Sequence, residues 1–262
     1  LCHNKKYQQP FAIKKAIKHK LTKDEYTFLI DLHHPNIIRL YDIFEDDYFH
    51  YLVMDYCSNG TIKDKGILSY EKFVYYAKQI LEAIAFCHSN NIAHRDIKPE
   101  NIFLDQYDHA KLADFGMAKR FNLEGKSNEK CGSLMFIPPE MFQYQEFCPF
   151  KADIWSLGIT FFYMATGSYP FQANTREELT QMIFRGEIDY NRYPIHPKIR
   201  LFLKKMTAKN HENRLTAEKL LELPIFTSEN SKSPILLKER SSSRLNLSIF
   251  RTPSKLNLNQ EP

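Results

Sequence analysis

No two of the five cysteines, Cys2, Cys57, Cys87, Cys131 and Cys148, stand in C-x-x-C spacing, and their number is odd. That argues against a disulfide frame and a zinc site, and for free thiols in a reducing compartment. A cytoplasmic protein is expected, with the nucleus open. Long apolar runs are missing as well. The longest, Ile154 to Ala165, is interrupted by Ser156, Gly158 and Thr160. It is too short to span a bilayer and reads as a buried core helix, so no membrane partner is expected. No signal peptide is read, and the chain begins at Leu1 without an initiator Met, as a piece of something longer would. Concentrated charge is lacking too. Of the formal net charge of +5, +3 falls after Phe226, where Lys232, Lys238, Arg240, Arg244, Arg251 and Lys255 outnumber Glu229, Glu239 and Glu261. A surplus of that kind gives no argument for nucleic acid. There is no internal repeat.

What is present suits a soluble globular chain. It has 262 residues, 43% apolar and 26% charged, enough for one large domain or two small lobes. Phe11 to Lys15 reads as a strand. Thr22 to Glu25 has capping-box spacing before a helix that His34-Pro35-Asn36 stops. Ile37 to Phe44 and His50 to Tyr56 read as a hairpin around Glu45-Asp46-Asp47. Ser69 is placed to cap a helix to about His88, with Phe73, Ala77, Ile80, Ile84 and Cys87 as its buried stripe. Helix starts are expected near Lys151, Thr175, Pro197 and Thr216. Strands first and helices later predict an α+β chain with a sheet-rich lobe followed by a larger helical one. After Phe226 the pattern collapses into Ser-, Lys- and Asn-rich sequence, read as a flexible tail. The expected divisions are 1–56, 57–226 and 227–262.

The chemistry concentrates in His94-Arg95-Asp96-Ile97-Lys98-Pro99-Glu100-Asn101, with Asp114-Phe115-Gly116 beginning eighteen residues after Asp96. Taken singly, these residues are ordinary: Asp-Phe-Gly is commonly a turn, and a loop Asp or Asn is commonly a cap. Together they resemble the catalytic loop and metal-binding segment of eukaryotic protein kinases, and Lys98 resembles the Ser/Thr branch. The resemblance covers about Phe11 to Phe226. With His34-Pro35-Asn36-Ile37 and Cys131-Gly132-Ser133, it is nearest to calcium/calmodulin-dependent and AMP-activated kinases. It implies a two-lobed fold with an incomplete small lobe, ATP and Mg²⁺ as cofactors, protein Ser/Thr hydroxyls as acceptors, and a monomer.

On this resemblance Asp96 is the catalytic base and Lys98 neutralises the γ-phosphate. Asn101 and Asp114 supply the hard oxygen donors that Mg²⁺ favours. Lys14, in Phe11-Ala12-Ile13-Lys14, holds the α- and β-phosphates and pairs with Glu25; Glu25 also has a complete job in the capping box. Ala12 covers the adenine, Met54 is the gatekeeper, the Asp55 carbonyl and Cys57 amide bind the ring, and Phe103 is its floor. Met54 and Phe103 read equally well as ordinary core residues. Ser133 seats the substrate beside Asp96 and Lys98. Glu140 and Arg214 make an architectural ion pair, Asp153 holds the backbone of the His94-Arg95-Asp96 turn, and His94 packs beside Phe115. Glu100 favours a basic residue upstream of the acceptor, an inference that Thr61 weakens.

Two departures stand out. No G-x-G-x-x-G occurs, and none of the thirteen residues before Lys14 is glycine. Either the sequence is cut upstream or it diverges toward a pseudokinase, a binding module with little turnover. In both cases this chain as given is expected to turn over slowly, if at all, against the roughly 1–100 s⁻¹ of ordinary kinases. Glu129 also stands two residues before Cys131, where many relatives carry a phosphothreonine for Arg95. It reads either as a partial substitute for that phosphate or as a solvated loop carboxylate near Lys126 and Lys130.

Overall fold

The computed structural model describes residues 1–3, 10–18, 23–122, 125–143 and 146–227, and only the backbone of residues 3 and 23–25. The expected tail, together with Thr22 of the capping box, lies outside the described residues.

A four-stranded antiparallel sheet forms first. A two-residue β1 (Cys2–His3), too short to carry a sequence signal, pairs with β2 (Pro10–Ile17). Helix α1 (Lys23–Asp31) follows, then β3 (Leu40–Glu45) and β4 (Phe49–Asp55), in the spatial order β1-β2-β4-β3. The β3–β4 turn is built by Asp46. Its carboxylate accepts from the backbone N–H groups of Tyr48 and Phe49, both at 2.8 Å, and from the Tyr51 hydroxyl at 2.7 Å. An Asp that bonds its own neighbours in this way is a turn former.

The expected strand from Ile37 starts three residues late. Ile37 instead makes a parallel bridge to Leu112, and the Ile38 N–H donates to the Leu112 carbonyl at 2.8 Å. The preceding Asn36 side chain donates to the Ala110 carbonyl at 2.9 Å. The segment after α1 therefore ties the sheet to residues 110–112 and does not lengthen β3.

The second part is mainly helical. Helices α2 (Ile62–Lys65) and α3 (Tyr70–Ser89) lead into four short strands, β5 (Ile92–Ala93), β6 (Ile102–Leu104), β7 (Ala110–Leu112) and β8 (Lys119–Arg120). These pair as β5–β8 and β6–β7. Ser69 caps α3 by accepting from the Lys72 N–H at 3.3 Å, and the expected stripe from Phe73 to Cys87 is fully buried. After α4 (Glu140–Gln143) comes α5 (Pro149–Thr166), the core helix, with fifteen of its eighteen residues buried. It starts two residues ahead of Lys151 because Pro149 takes the first helical position, where the missing N–H costs nothing. Helices α6 (Arg176–Arg185), α7 (Pro197–Met206), α8 (Ala217–Leu221) and α9 (Pro224–Thr227) complete the layer. Thr175 and Thr216 cap α6 and α8 with their side chains.

Four phenylalanines join α3, α5, α7 and α9. Centroid distances are 5.8 Å for Phe73–Phe161, 5.8 Å for Phe161–Phe202 and 5.3 Å for Phe202–Phe226. Such pairs contribute about 0.5–1.5 kcal/mol each beyond the area they bury. Among the described residues no helix is long and apolar enough to cross a membrane.

Candidate active site

The site is assembled on the loops between β5 and β8, and α5 holds them from below. Asp153 on α5 is buried, and its carboxylate accepts from the backbone N–H groups of His94 and Arg95, each at 2.8 Å. His88 from α3 reaches the same carboxylate at 3.0 Å. One anion thus fixes the peptide planes that aim Asp96. Arg95 in this turn has φ 67°, and Asp114 ahead of Phe115 has φ 62°, both in the left-handed region where non-glycine residues are costly. His94 is fully buried, donates its Nε2–H to the Ala113 carbonyl at 3.0 Å, and packs edge-on to Phe115 at 4.8 Å. Burial pulls its imidazole below the ordinary value and keeps it neutral.

Around Asp96 the polar contacts converge. Lys98 Nζ lies 2.6 Å from Asp96 Oδ2 and donates to Ser133 Oγ at 3.1 Å. Ser133 Oγ in turn donates to Asp96 Oδ1 at 3.0 Å. Asn101 Nδ2 donates to the Asp96 backbone carbonyl at 2.8 Å and to Asp96 Oδ2 at 3.1 Å. Burial alone would raise the Asp96 carboxyl, but Lys98, Ser133 and Asn101 outweigh it and hold the group below the usual aspartate value.

Asn101 and Asp114 are linked through the backbone, since the Ala113 N–H donates to the Asn101 carbonyl at 2.9 Å. From the sheet, Lys14 Nζ reaches Asp114 Oδ1 at 2.8 Å. The Glu25 side chain lies outside the described residues, so its pairing with Lys14 stays an expectation.

Residues 1–226 match the sequence profile described as the protein kinase domain. The chain belongs to the protein kinase family. It is 40% identical over 223 residues to calcium-dependent protein kinase 6 of Plasmodium berghei (strain Anka), covering 81% of this chain and 15% of that protein. It is 33% identical over 232 residues to the probable serine/threonine-protein kinase MARK-A of Dictyostelium discoideum, covering 87% and 22%. Sperm motility kinase Z of Mus musculus is 34% identical over 200 residues, 74% and 39%. The chain therefore spans less than half the length of these relatives.

Further residues of the candidate site lie in β2, β4 and β6 and in the segment before α4. Ala12 sits across from Met54 in the β2–β4 register. Phe103 in β6 bridges to Thr61 and, like Met54, is half-buried against the core. The Asp55 carboxylate accepts from the Arg39 N–H at 3.0 Å and the Tyr41 hydroxyl at 2.8 Å, which ties the strand end to β3. Burial, with Asp55 adding to it, pushes the Cys57 thiol up to about 12, so it is neutral at the hinge. All five cysteines are free. Gly132 has φ +103°, and a Cβ there would stand 2.8 Å from the Arg95 carbonyl. Only glycine allows the chain to pass this close to the turn that carries Asp96.

Arg95 Nη1 and Glu129 Oε2 are 2.9 Å apart, and Lys119 Nζ lies 2.5 Å from Glu129 Oε1. Lys119 is a residue that sequence reasoning missed; β8 is too short to show a period. Arg214 grips Glu140 through both guanidinium nitrogens at 2.6 and 2.7 Å, with both side chains buried.

Proposed function

We propose that this domain transfers the γ-phosphate of ATP to serine or threonine hydroxyls of proteins. The observation that carries the reading is the convergence of Lys98, Ser133 and Asn101 on the Asp96 carboxylate. An acceptor hydroxyl beside Asp96 gives its proton to that carboxylate while its oxygen attacks the γ-phosphorus. The bond to the β–γ bridging oxygen breaks, and ADP leaves with the electron pair. Ionised Asp96 suits this role because it arrives without a proton. Lys98, held against Asp96, offers its ammonium to the charge moving through the phosphoryl group. On this reading Lys14, which meets Asp114, holds the inner phosphates, and Ala12, Met54, Asp55, Cys57 and Phe103 frame the adenine.

The donors present fit a magnesium ion. Asn101 spends its amide nitrogen on Asp96, which leaves the amide oxygen for a cation, and Asp114 keeps Oδ2 beyond the oxygen that meets Lys14. Among the described residues no group of three or more His, Cys, Asp or Glu forms a metal cage. One carboxylate, one amide oxygen and ligand phosphates make a donor set that suits magnesium. Bound there, the ion would neutralise phosphate oxygens as a Lewis acid.

Glu129 is proposed to order the segment before α4. Lys119 first and then Arg95 hold its carboxyl below the ordinary glutamate value, so it stays charged. The comparison that tests the reading is phosphate transfer to a serine peptide by the wild type and by Asp96→Asn. Slow transfer by the wild type that falls at least about a hundredfold in the variant is expected. Equal rates, or no transfer by the wild type, would defeat it.

A further inference from the structure

A second charged cluster forms around Lys63 and takes in Glu100, four residues past Asp96. Lys63 on α2 points its ammonium between the rings of Tyr163 and Tyr169, 4.4 and 4.5 Å from their centroids. Its Nζ donates to the Tyr169 hydroxyl at 2.7 Å and stands 3.6 Å from Glu100 Oε1. Glu100 belongs to the same turn as Asn101, four residues past Asp96. Its other oxygen, Oε2, is buried and has no hydrogen-bond partner among the described residues.

The position of Lys63 is built, not incidental. The capping box of α2, in which Asp64 accepts from both the N–H and the hydroxyl of Thr61 at 2.8 Å, fixes the helix at its start. The Tyr163 hydroxyl donates to the Lys63 carbonyl at 3.0 Å. Two stacked tyrosines, themselves 5.1 Å apart, form the wall. A cation over aromatic faces, beside a phenol and a carboxylate, is a strong ammonium site. Burial works against charge on Lys63, but the Tyr169 phenol and Glu100 outweigh it.

Resting on the kinase reading above, we propose that Lys63 is a specificity residue: it occupies the cation pocket at Glu100 and cancels the preference for a basic substrate residue that Glu100 would otherwise confer. A substrate arginine entering the pocket must evict an ammonium that is already paired, so one cation is exchanged for another and little selectivity is left. With Lys63 removed, the arginine meets a bare carboxylate whose Oε2 already lacks a donor.

The experiment measures binding, which separates it from turnover. Serine peptides with one arginine moved through the positions upstream of the serine, and an all-alanine control, are titrated by fluorescence anisotropy. Wild-type chain, Lys63→Met, which keeps the packing of the stem, and Lys63→Met/Glu100→Gln are compared. The wild type is expected to bind arginine and alanine peptides alike. Lys63→Met should gain about tenfold for arginine at one upstream position, the scale of a charged hydrogen bond, and the double variant should lose it. A wild type that already prefers arginine tenfold overturns the proposal, as does a Lys63→Met variant that binds all peptides equally or none. If the gained preference is seen without phosphate transfer, the kinase reading fails and only the exchange of cations at Glu100 stands. Transfer without the gain defeats this proposal and leaves the kinase reading intact.

Discussion

At the scale of single residues, the Asp96 carboxyl makes the sharpest prediction. Its folded value lies below the ordinary 3.8, so the group adds stability above the usual aspartate range and loses it as pH falls through the lowered value. A profile of kcat/KM against pH should therefore stay flat from about 7 to 5, with no acid limb from Asp96. A limb near 6 that disappears in Asp96→Asn would contradict this. Asp153 gives a stability counterpart. Asp153→Ala leaves two backbone N–H groups without their acceptor and should cost about 3 kcal/mol, at roughly 1.5 for each charge-assisted bond. Urea denaturation would show this as a lower midpoint at unchanged slope. Asp96, Lys98, Asn101 and Asp114 were picked out by the resemblance of their motifs to the kinase family, and the fold brings Lys98 and Asn101 onto Asp96. Lys63 and Lys119 were not picked out, since each sits on an element of four residues or fewer and meets its partner only through the fold.

Among elements, the Glu140–Arg214 pair locks the start of α4 to the segment ahead of α8. Arg214 does more than pair: it also donates to the carbonyls of Ala208 at 2.8 Å, Lys151 at 3.0 Å and Lys209 at 3.3 Å. Breaking a buried pair costs about 3–5 kcal/mol. Arg214→Met should exceed Glu140→Gln, because it orphans three carbonyls as well as the carboxylate. Thermal unfolding of the two variants checks the order, and equal losses would mean that the carbonyl contacts carry nothing. Long elements were legible here. The period of α3 and the apolar run of α5 are large, repeated signals. The late start of β3 was not, because Ile37 has strand-forming character and only Leu112, seventy-five residues on, turns it to another use.

For the molecule as a whole, the two parts meet where Lys14 reaches Asp114 and where Asn36 and Ile38 bond β7. A nucleotide bound between them should raise the unfolding temperature by mass action. The rise with ATP should be larger when magnesium is added, and Asp114→Asn should remove the magnesium-dependent part while leaving the rest. A rise independent of the metal would count against the cation site. The α+β division was legible from the order of strands and helices, but its joint was not, since its contacts come from residues far apart in the chain. Glu129 meets Arg95 and Lys119 without any modification of the chain. A carboxylate encoded in the chain is neither attached nor stripped after synthesis, so phosphatases have nothing here to erase.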